Sequence, residues 1–386
     1  MRNSDLQKLE KNKWFGNEMN LDFSEEQQLL SNTLERFTAD RYDVNKRAKY
    51  LNGPLGYDEK NWNILAKTGV LGLLFSETYG GLSGSTEDLI CVMKPLGKAV
   101  AVEPLLSNIY LTGDFLERAG TKAQKEHWIP KIIEGKATLA LAHCEAEARF
   151  DLGFVRTSHK KLNAVVKLNG HKTFVLGAGG ADGFIVSAVG EGLSSDDKSN
   201  IAFYLVDKDA AGLVCRNYNL IDGSIACELD LNNTPAMPMN GDFNDLIATI
   251  STTKIAACSE LMGLMELLFE TTLDYVKTRE QFGRPLSSFQ VIQHRLAESY
   301  TKLELSRSHL LRLAALNETD GNYHQMISGY KAFMSKSALT LAKEAIQLHG
   351  GMGITDELII GHAMKRVTLL ATLFGDVDEE LRRYAA

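Results

Sequence analysis

The chain has 386 residues, 44% of them hydrophobic and 24% charged, enough to bury one large core or two to three modest ones and too apolar for a disordered segment. Composition excludes collagen-like, low-complexity and disulfide-scaffold proteins. Lys+Arg 42 against Asp+Glu 49 gives a formal net charge of -7 without any Lys/Arg-rich block, so no nucleic-acid or membrane partner is expected, while a neutral or anionic small molecule can still bind locally.

Residues 1 to 20 are polar and mixed in charge, with no apolar signal region, and nowhere do about 18 apolar residues run together. The expectation is a soluble, cytoplasmic protein. The five cysteines, Cys91, Cys144, Cys215, Cys227 and Cys258, are odd in number, far apart and never in a C-x-x-C pair, so neither a disulfide framework nor a metal site is expected. They read as buried small hydrophobes in a reducing compartment.

Three zones follow in chain order. Over 21–135 the apolar spacing is helical, and Ser24 with Gln27 three residues on offers a capping box for the first helix. Polar breaks at Leu51-Asn-Gly-Pro54 and Tyr79-Gly-Gly81 divide this helical first domain. Over 136–245 short apolar runs alternate with turn residues, which predicts an antiparallel β-domain. Its strands are Ala164–Leu168, closed by an Asn169-Gly170 hairpin turn, then Phe184–Val189, Ile201–Val206 and Ile225–Asp230, with an exposed polar loop from Glu191 to Asn200.

Over 246–386 the helical period returns. Leu261, Leu264, Met265 and Leu268 fall on one face, and Met334, Ala338, Leu341, Ala342 and Ala345 support a second long helix that ends at Gly350-Gly351. Met262, Met265 and Met334 are core at this spacing. The fold class is therefore α+β, with an N-terminal helical domain, a middle β-domain and a C-terminal helical bundle.

Two C-terminal segments carry candidate chemistry. In Tyr275-Val-Lys-Thr-Arg-Glu-Gln-Phe-Gly283, continuing to Phe289-Gln290 and Gln293-His294, Arg279 offers a bidentate fork to a diphosphate beside the carboxamides of Gln281 and Gln290. In Gln347-Leu-His-Gly-Gly-Met-Gly-Ile354 a helix ends in glycines, whose backbone N–H groups can approach a flat or phosphorylated ligand. Each alone also fits an ordinary surface charge or helix cap.

Together with Tyr79-Gly80-Gly81, Gly170-His-Lys172 and Ala181-Asp182, these motifs, in this order on an α-β-α chain, resemble the acyl-CoA dehydrogenase family of flavoenzymes over nearly the whole length. The resemblance implies the acyl-CoA dehydrogenase fold, a homotetramer or α2β2 tetramer, and FAD between the β-domain and the C-terminal helices, completed by a neighbouring subunit. It places Arg279, Gln281, Phe282 and Gln290 in one FAD-binding segment and Gln347, Gly350 and Gly351 in a second. Phe174 and Leu176 fall where the family's Trp-Ile-Thr lies along the isoalloxazine, without its hydroxyl. The implied reaction is α,β-desaturation of an acyl-CoA thioester, with an electron-transfer flavoprotein as acceptor.

The family's base is a carboxylate, needed because the α-proton is weakly acidic. Its usual position, 21 residues after Gly353, is Phe374, and the alternative position, 22 residues before Tyr275, is Thr253. Neither can take the proton. Asp376 is the nearest acid, read either as a displaced base or flavin contact or as the N-cap of the last helix ahead of Asp378-Glu379-Glu380.

The family's Thr-Glu-Pro-x-Ala-Gly-Ser-Asp loop reads Cys144-Glu-Ala-Glu-Ala-Arg-Phe-Asp151, which makes Arg149 and Phe150 substrate-side candidates. Arg149 is a clamp for CoA phosphates or a loop ion pair. Lys254 stands where the family often has an Arg near the substrate, or is a solvated charge. His294 and His349 read as core or interface histidines.

This pattern looks like the small-subunit branch typified by pimeloyl-CoA dehydrogenase and the steroid side-chain acyl-CoA dehydrogenases, whose members pair with a large subunit carrying the catalytic Glu. A catalytically silent structural subunit and a flavin oxidase acting on a non-thioester substrate are the alternatives.

Overall fold

The computed structural model describes residues 23–162 and 165–386; the reading of residues 1 to 20 lies outside them. Helices α1 (Glu25–Arg41), α2 (Val44–Leu51), α3 (Glu59–Lys67), α4 (Thr86–Lys98), α5 (Asp114–Ala119) and α6 (Lys122–Ile133) form the first layer, with a π-helical segment Leu105–Gly113 running into α5. Ser24 caps α1 as expected: its hydroxyl accepts from Gln27 N–H while the Gln27 side chain accepts from Ser24 N–H.

The middle of the chain folds as β1 (Leu139–Ala142), β2 (Ser158–Leu162), β3 (Val165–Leu176), β4 (Gly183–Gly190), β5 (Ile201–Asp207), β6 (Leu213–Asn219) and β7 (Ile225–Pro238) in one seven-stranded sheet. Strand β5 pairs with both β4 and β7, so β4, β2, β3, β7 and β5 close into a ring that leaves few open edges. Most pairings are antiparallel, as expected, but β1 and β2 each run parallel to β4.

The expected hairpin at Asn169-Gly170 does not form. Strand β3 runs straight through it, with a register shift against β7 between Leu168 and Gly170. Gly170 serves a close approach instead: a Cβ there would lie 2.7 Å from the Thr157 Cα. A second shift, between Lys172 and Val175, holds Phe174 at φ 54, and such bulges re-aim side chains.

The C-terminal bundle contains α7 (Phe243–Thr278), α8 (Gln290–Ala314), α9 (Tyr323–His349), α10 (Ile359–Thr372) and α11 (Val377–Ala385). Met262, Met265 and Met334 are fully buried in its core, as the spacing predicts. Cys91, Cys227 and Cys258 are buried, but Cys144 is half-buried and Cys215 is exposed on β6, which corrects the reading of all five as buried residues. Among the described residues, no group of His, Cys, Asp and Glu could hold a metal and no helix is long and apolar enough to cross a membrane.

Arg366 on α10 holds the zones together. Its Nε and Nη2 donate to Glu260 of α7 at 2.5 and 2.9 Å, and its Nη1 donates to Asp222, ahead of β7, at 2.8 Å. Arg47 of α2 donates to the Asp222 carbonyl at 3.1 Å and to the Val100 carbonyl at 3.0 Å.

Candidate functional site

The loop Cys144–Gly153 leaves β1 and is anchored from beneath. Glu145 accepts from the N–H groups of Arg156 and Thr157, from the Thr157 hydroxyl and, at 2.8 Å, from the ammonium of Lys172, which is fully buried. Lys172 also donates to Ser187 and to the His143 carbonyl. Burial and the Lys172 charge push the His143 imidazole down to about 4, so it sits neutral between Ser187 and the Leu152 carbonyl. The loop above this anchor carries Arg149, exposed at φ 51, and Phe150.

A matching loop, Leu373–Asp376, joins α10 to α11. Phe374 stands at φ 58, and Gly375 lies against Glu380: a Cβ there would approach Glu380 Oε1 to 2.3 Å. Asp376 is the N-cap of α11, accepting from Glu379 N–H at 2.8 Å, which supports its capping reading. Thr253, the alternative base position, is fully buried and its hydroxyl donates to the carbonyls of Thr249 and Tyr110.

Arg383 ties the two loops together. Its Nη1 donates to the Phe374 carbonyl at 2.5 Å and its Nη2 to the Phe150 carbonyl at 2.6 Å, while Glu380 and Glu379 balance its charge. Glu380, fully buried, shares its other oxygen with Lys254 at 2.8 Å. Lys254 is thus neither solvated nor a wall of the cleft described next; its ammonium is pulled down to about 8 by burial, against the pull of Glu380. Lys331, also buried, donates to the Gly375 carbonyl at 3.4 Å.

Arg149, Phe150 and Asp376 come together along one open cleft of about 730 Å³, where Lys198, Arg382 and Arg383 face Asp151 and Glu379, the last paired with both arginines. A separate, more enclosed cavity of about 50 Å³ lies between Leu176 and Leu373, and Glu103, Arg366 and Gly177 also line it.

The two C-terminal segments meet elsewhere, at one end of the bundle. There the rings of Tyr275 and His349 stack at 4.3 Å, which brings the end of α7 beside the end of α9. Beyond α7 a short hairpin, Glu280–Gln281 with Arg284–Pro285, turns through Phe282 at φ 56. Phe282 is 90% exposed, a large apolar side chain in a left-handed conformation with the Phe289 ring edge-on at 6.1 Å. Arg279, Gln281, Gln290, Gln347, Gly350 and Gly351 are all exposed, and a Cβ at Gly350 or Gly351 would meet nothing within 4 Å. His349 is buried, whereas His294 is exposed.

Residues 24–136 match the N-terminal domain, and residues 243–385 the C-terminal domain, of acyl-CoA dehydrogenases. The chain belongs to the acyl-CoA dehydrogenase family. Its members are oxidoreductases that use FAD. A probable acyl-CoA dehydrogenase of Bacillus subtilis is 27% identical over 376 residues, 95% of this chain and 98% of that protein. The solved steroid acyl-CoA dehydrogenase Tcur3481-Tcur3483 superposes with a TM-score of 0.84 at 25% identity, covering 94% of this chain and 97% of that one. The ChsE4-ChsE5 complex of Mycobacterium tuberculosis gives 0.85 at 20% identity, covering 95% and 98%.

The two segments expected to bind FAD each lie in one stretch of sequence; the groups that support the loops do not. Arg383 and Phe150 are 233 residues apart. The Glu145–Lys172 pair left a weaker trace: Glu145 follows the apolar run Leu139–Ala142, and Lys172 stands within β3. Glu103 left another, a lone carboxylate within the apolar run from Ala99 to Leu106.

Proposed function

We propose that this chain is the FAD-sharing subunit of a heteromeric acyl-CoA dehydrogenase, paired with a homologous subunit that supplies the catalytic carboxylate. The observation that carries this reading is what occupies the two base positions: an aromatic ring at Phe374 and, at Thr253, a hydroxyl engaged by two carbonyls. Asp376 is committed as a helix cap. The exposed Arg279–Phe282 hairpin and the Gln347–Gly351 turn keep the features that FAD binding across a subunit boundary needs.

The residues present fit FAD. The forked guanidinium of Arg279 and the exposed carboxamides of Gln281, Gln290 and Gln347 suit a diphosphate and an adenine, and the open backbone at Gly350 and Gly351 admits close approach. Phe174 and Leu176 are the residues that face the isoalloxazine. When bound, FAD accepts the β-hydrogen of the acyl group with its electron pair.

This chain's own residues orient the thioester. Arg149, Lys198 and Arg382 attract the CoA phosphates to the open cleft, Phe150 packs beside them, and Arg383 fixes the distance between the two loops. The α-proton would leave to the partner's carboxylate, and the two electrons that FAD would take up with the β-hydrogen would pass on to an electron-transfer flavoprotein. The solved complexes of related fold support an assembly of two different chains.

Co-expression with a second acyl-CoA dehydrogenase chain that carries the base, followed by gel filtration and flavin quantification, tests the assembly. A mixed, flavin-bearing tetramer is the expected product. A homotetramer of this chain that desaturates acyl-CoA at an ordinary rate would overturn the proposal.

A further inference from the structure

Strands β6 and β7 bring together two thiols that the dehydrogenation does not use. In the register of this antiparallel pair Cys215 stands opposite Leu229 and Asn217 opposite Cys227, so the two cysteines lie on one face as diagonal neighbours across the ladder. Their sulfurs are in contact, with the Cys227 S–H donating to Cys215 and the Cys215 Sγ donating in turn to Asn217 Oδ1 at 3.5 Å. Access separates them: Cys227 is fully buried, whereas Cys215 is exposed on a strand joined to the sheet through β7. Arg216, next in the strand, points to the other face, where Asp230 holds it at 2.6 Å and Glu228 at 3.8 Å. On its far side Cys227 is registered with Val175, between Phe174 and Leu176.

We infer that Cys215 is a peroxide-reactive thiol with Cys227 as its resolving partner, so that this face of the β-domain reduces a small hydroperoxide and stores the oxidation as a Cys215–Cys227 disulfide. The Cys215 thiolate attacks the terminal oxygen of the hydroperoxide and the O–O bond breaks. The alkoxide, or hydroxide in the case of hydrogen peroxide, takes a proton from water and leaves, and Cys215 is left as a sulfenic acid. The Cys227 sulfur then attacks the Cys215 sulfur, the S–O bond breaks, and the departing hydroxide leaves as water with the Cys227 proton. Two thiols and one hydroperoxide thus give one disulfide, one alcohol and one water, with two electrons passing from sulfur to oxygen. A dithiol reductant restores both thiols by exchange.

The surroundings make the pair selective. The S–H of Cys227, aided by the Arg216 charge and opposed by partial burial, holds the Cys215 thiol below its ordinary range. The same contact holds the Cys227 thiol up, and it is lost once Cys215 is oxidised, which frees Cys227 to act as the second nucleophile. Burial pushes Cys91 and Cys258 up to about 12 and Cys144 up to about 11, so these three stay protonated and inert. An exposed, readily ionised thiol beside a second one is the arrangement that peroxide-sensing cysteines need.

Treating the reduced full-length protein, freed of reductant, with equimolar hydrogen peroxide tests this, read by thiol titration after denaturation and by peptide mapping without reduction. The wild type should lose two of its five thiols, yield a peptide pair linked through Cys215 and Cys227, and regain both thiols with dithiothreitol. Cys215→Ser should keep every remaining thiol under the same treatment, and Cys227→Ala should accumulate a sulfenic acid at Cys215 that dimedone captures. Cys215 is exposed, so its replacement leaves the core untouched, and the wild-type linkage is read without any variant. Survival of all five thiols in the wild type, a linkage through any other cysteine, or equal thiol loss in Cys215→Ser overturns the assignment and leaves the acyl-CoA reading standing.

Discussion

Replacing Arg383 by Ala removes the side chain that, among the described residues, bridges the Phe150 and Phe374 loops. Two charge-assisted hydrogen bonds, at 2.5 and 2.6 Å, are lost, and the buried Glu380 keeps only Lys254. Charge-assisted bonds are worth about 1.5–3 kcal/mol each, and because Arg383 is partly exposed the lower end applies, about 3 kcal/mol in all. At about 2.1 cal/mol/K per residue the unfolding entropy of this chain is about 0.8 kcal/mol/K, so the melting midpoint should fall by about 4 °C.

The local signature is more specific. Amide hydrogen exchange should speed up in residues 149–153 and 373–376 and stay unchanged in the β3–β7 ladder. Arg383→Lys, which keeps the charge beside Glu380 but cannot fork to both carbonyls, should reproduce the loop effect with less loss of stability. A midpoint within 1 °C of wild type together with unaltered exchange in both loops would refute the bridging role.

Three further outcomes follow from the same structure. His143 is held neutral with its pKa down at about 4, whereas the unfolded imidazole takes up a proton below about 6.5; the unfolded state therefore binds more protons in this window, and stability falls as pH falls through it. Between pH 7.5 and 5 the loss is about 2 kcal/mol, measured by denaturant unfolding as the excess over the loss in His143→Gln, and parallel losses would contradict it. Arg366→Met leaves Glu260 and Asp222 buried without their cation and should cost about 3–5 kcal/mol, partly recovered when those carboxylates are changed to amides; a fall in unfolding free energy below about 1 kcal/mol would count against the three-zone lock. Arg279→Ala should lower the flavin retained per chain after gel filtration, and an unchanged ratio would remove Arg279 from the FAD contact.

Short-range physics was readable in the sequence. Ser24 with Gln27 marks the start of α1, and Gly350 ends α9 where the apolar period stops. The Asn169-Gly170 reading failed because tertiary approach overrode a local turn preference: the glycine admits Thr157, and β3 continues past it. Of the candidate site, the motifs proposed to meet FAD are legible because each lies in a single segment. The groups that hold them, Arg383 under two carbonyls, Lys172 under Glu145 and Arg366 between Glu260 and Asp222, are pairings across long stretches of chain that no local pattern encodes.

The missing carboxylate is the central claim, and anaerobic flavin bleaching tests it most directly. The flavin-loaded chain alone, mixed with a saturated acyl-CoA, should reduce its flavin ~10²–10⁴-fold more slowly than the same chain assembled with a base-bearing partner, the loss expected when a general base is absent. Equal rates with and without the partner would contradict the account, because they would require a working base within this chain.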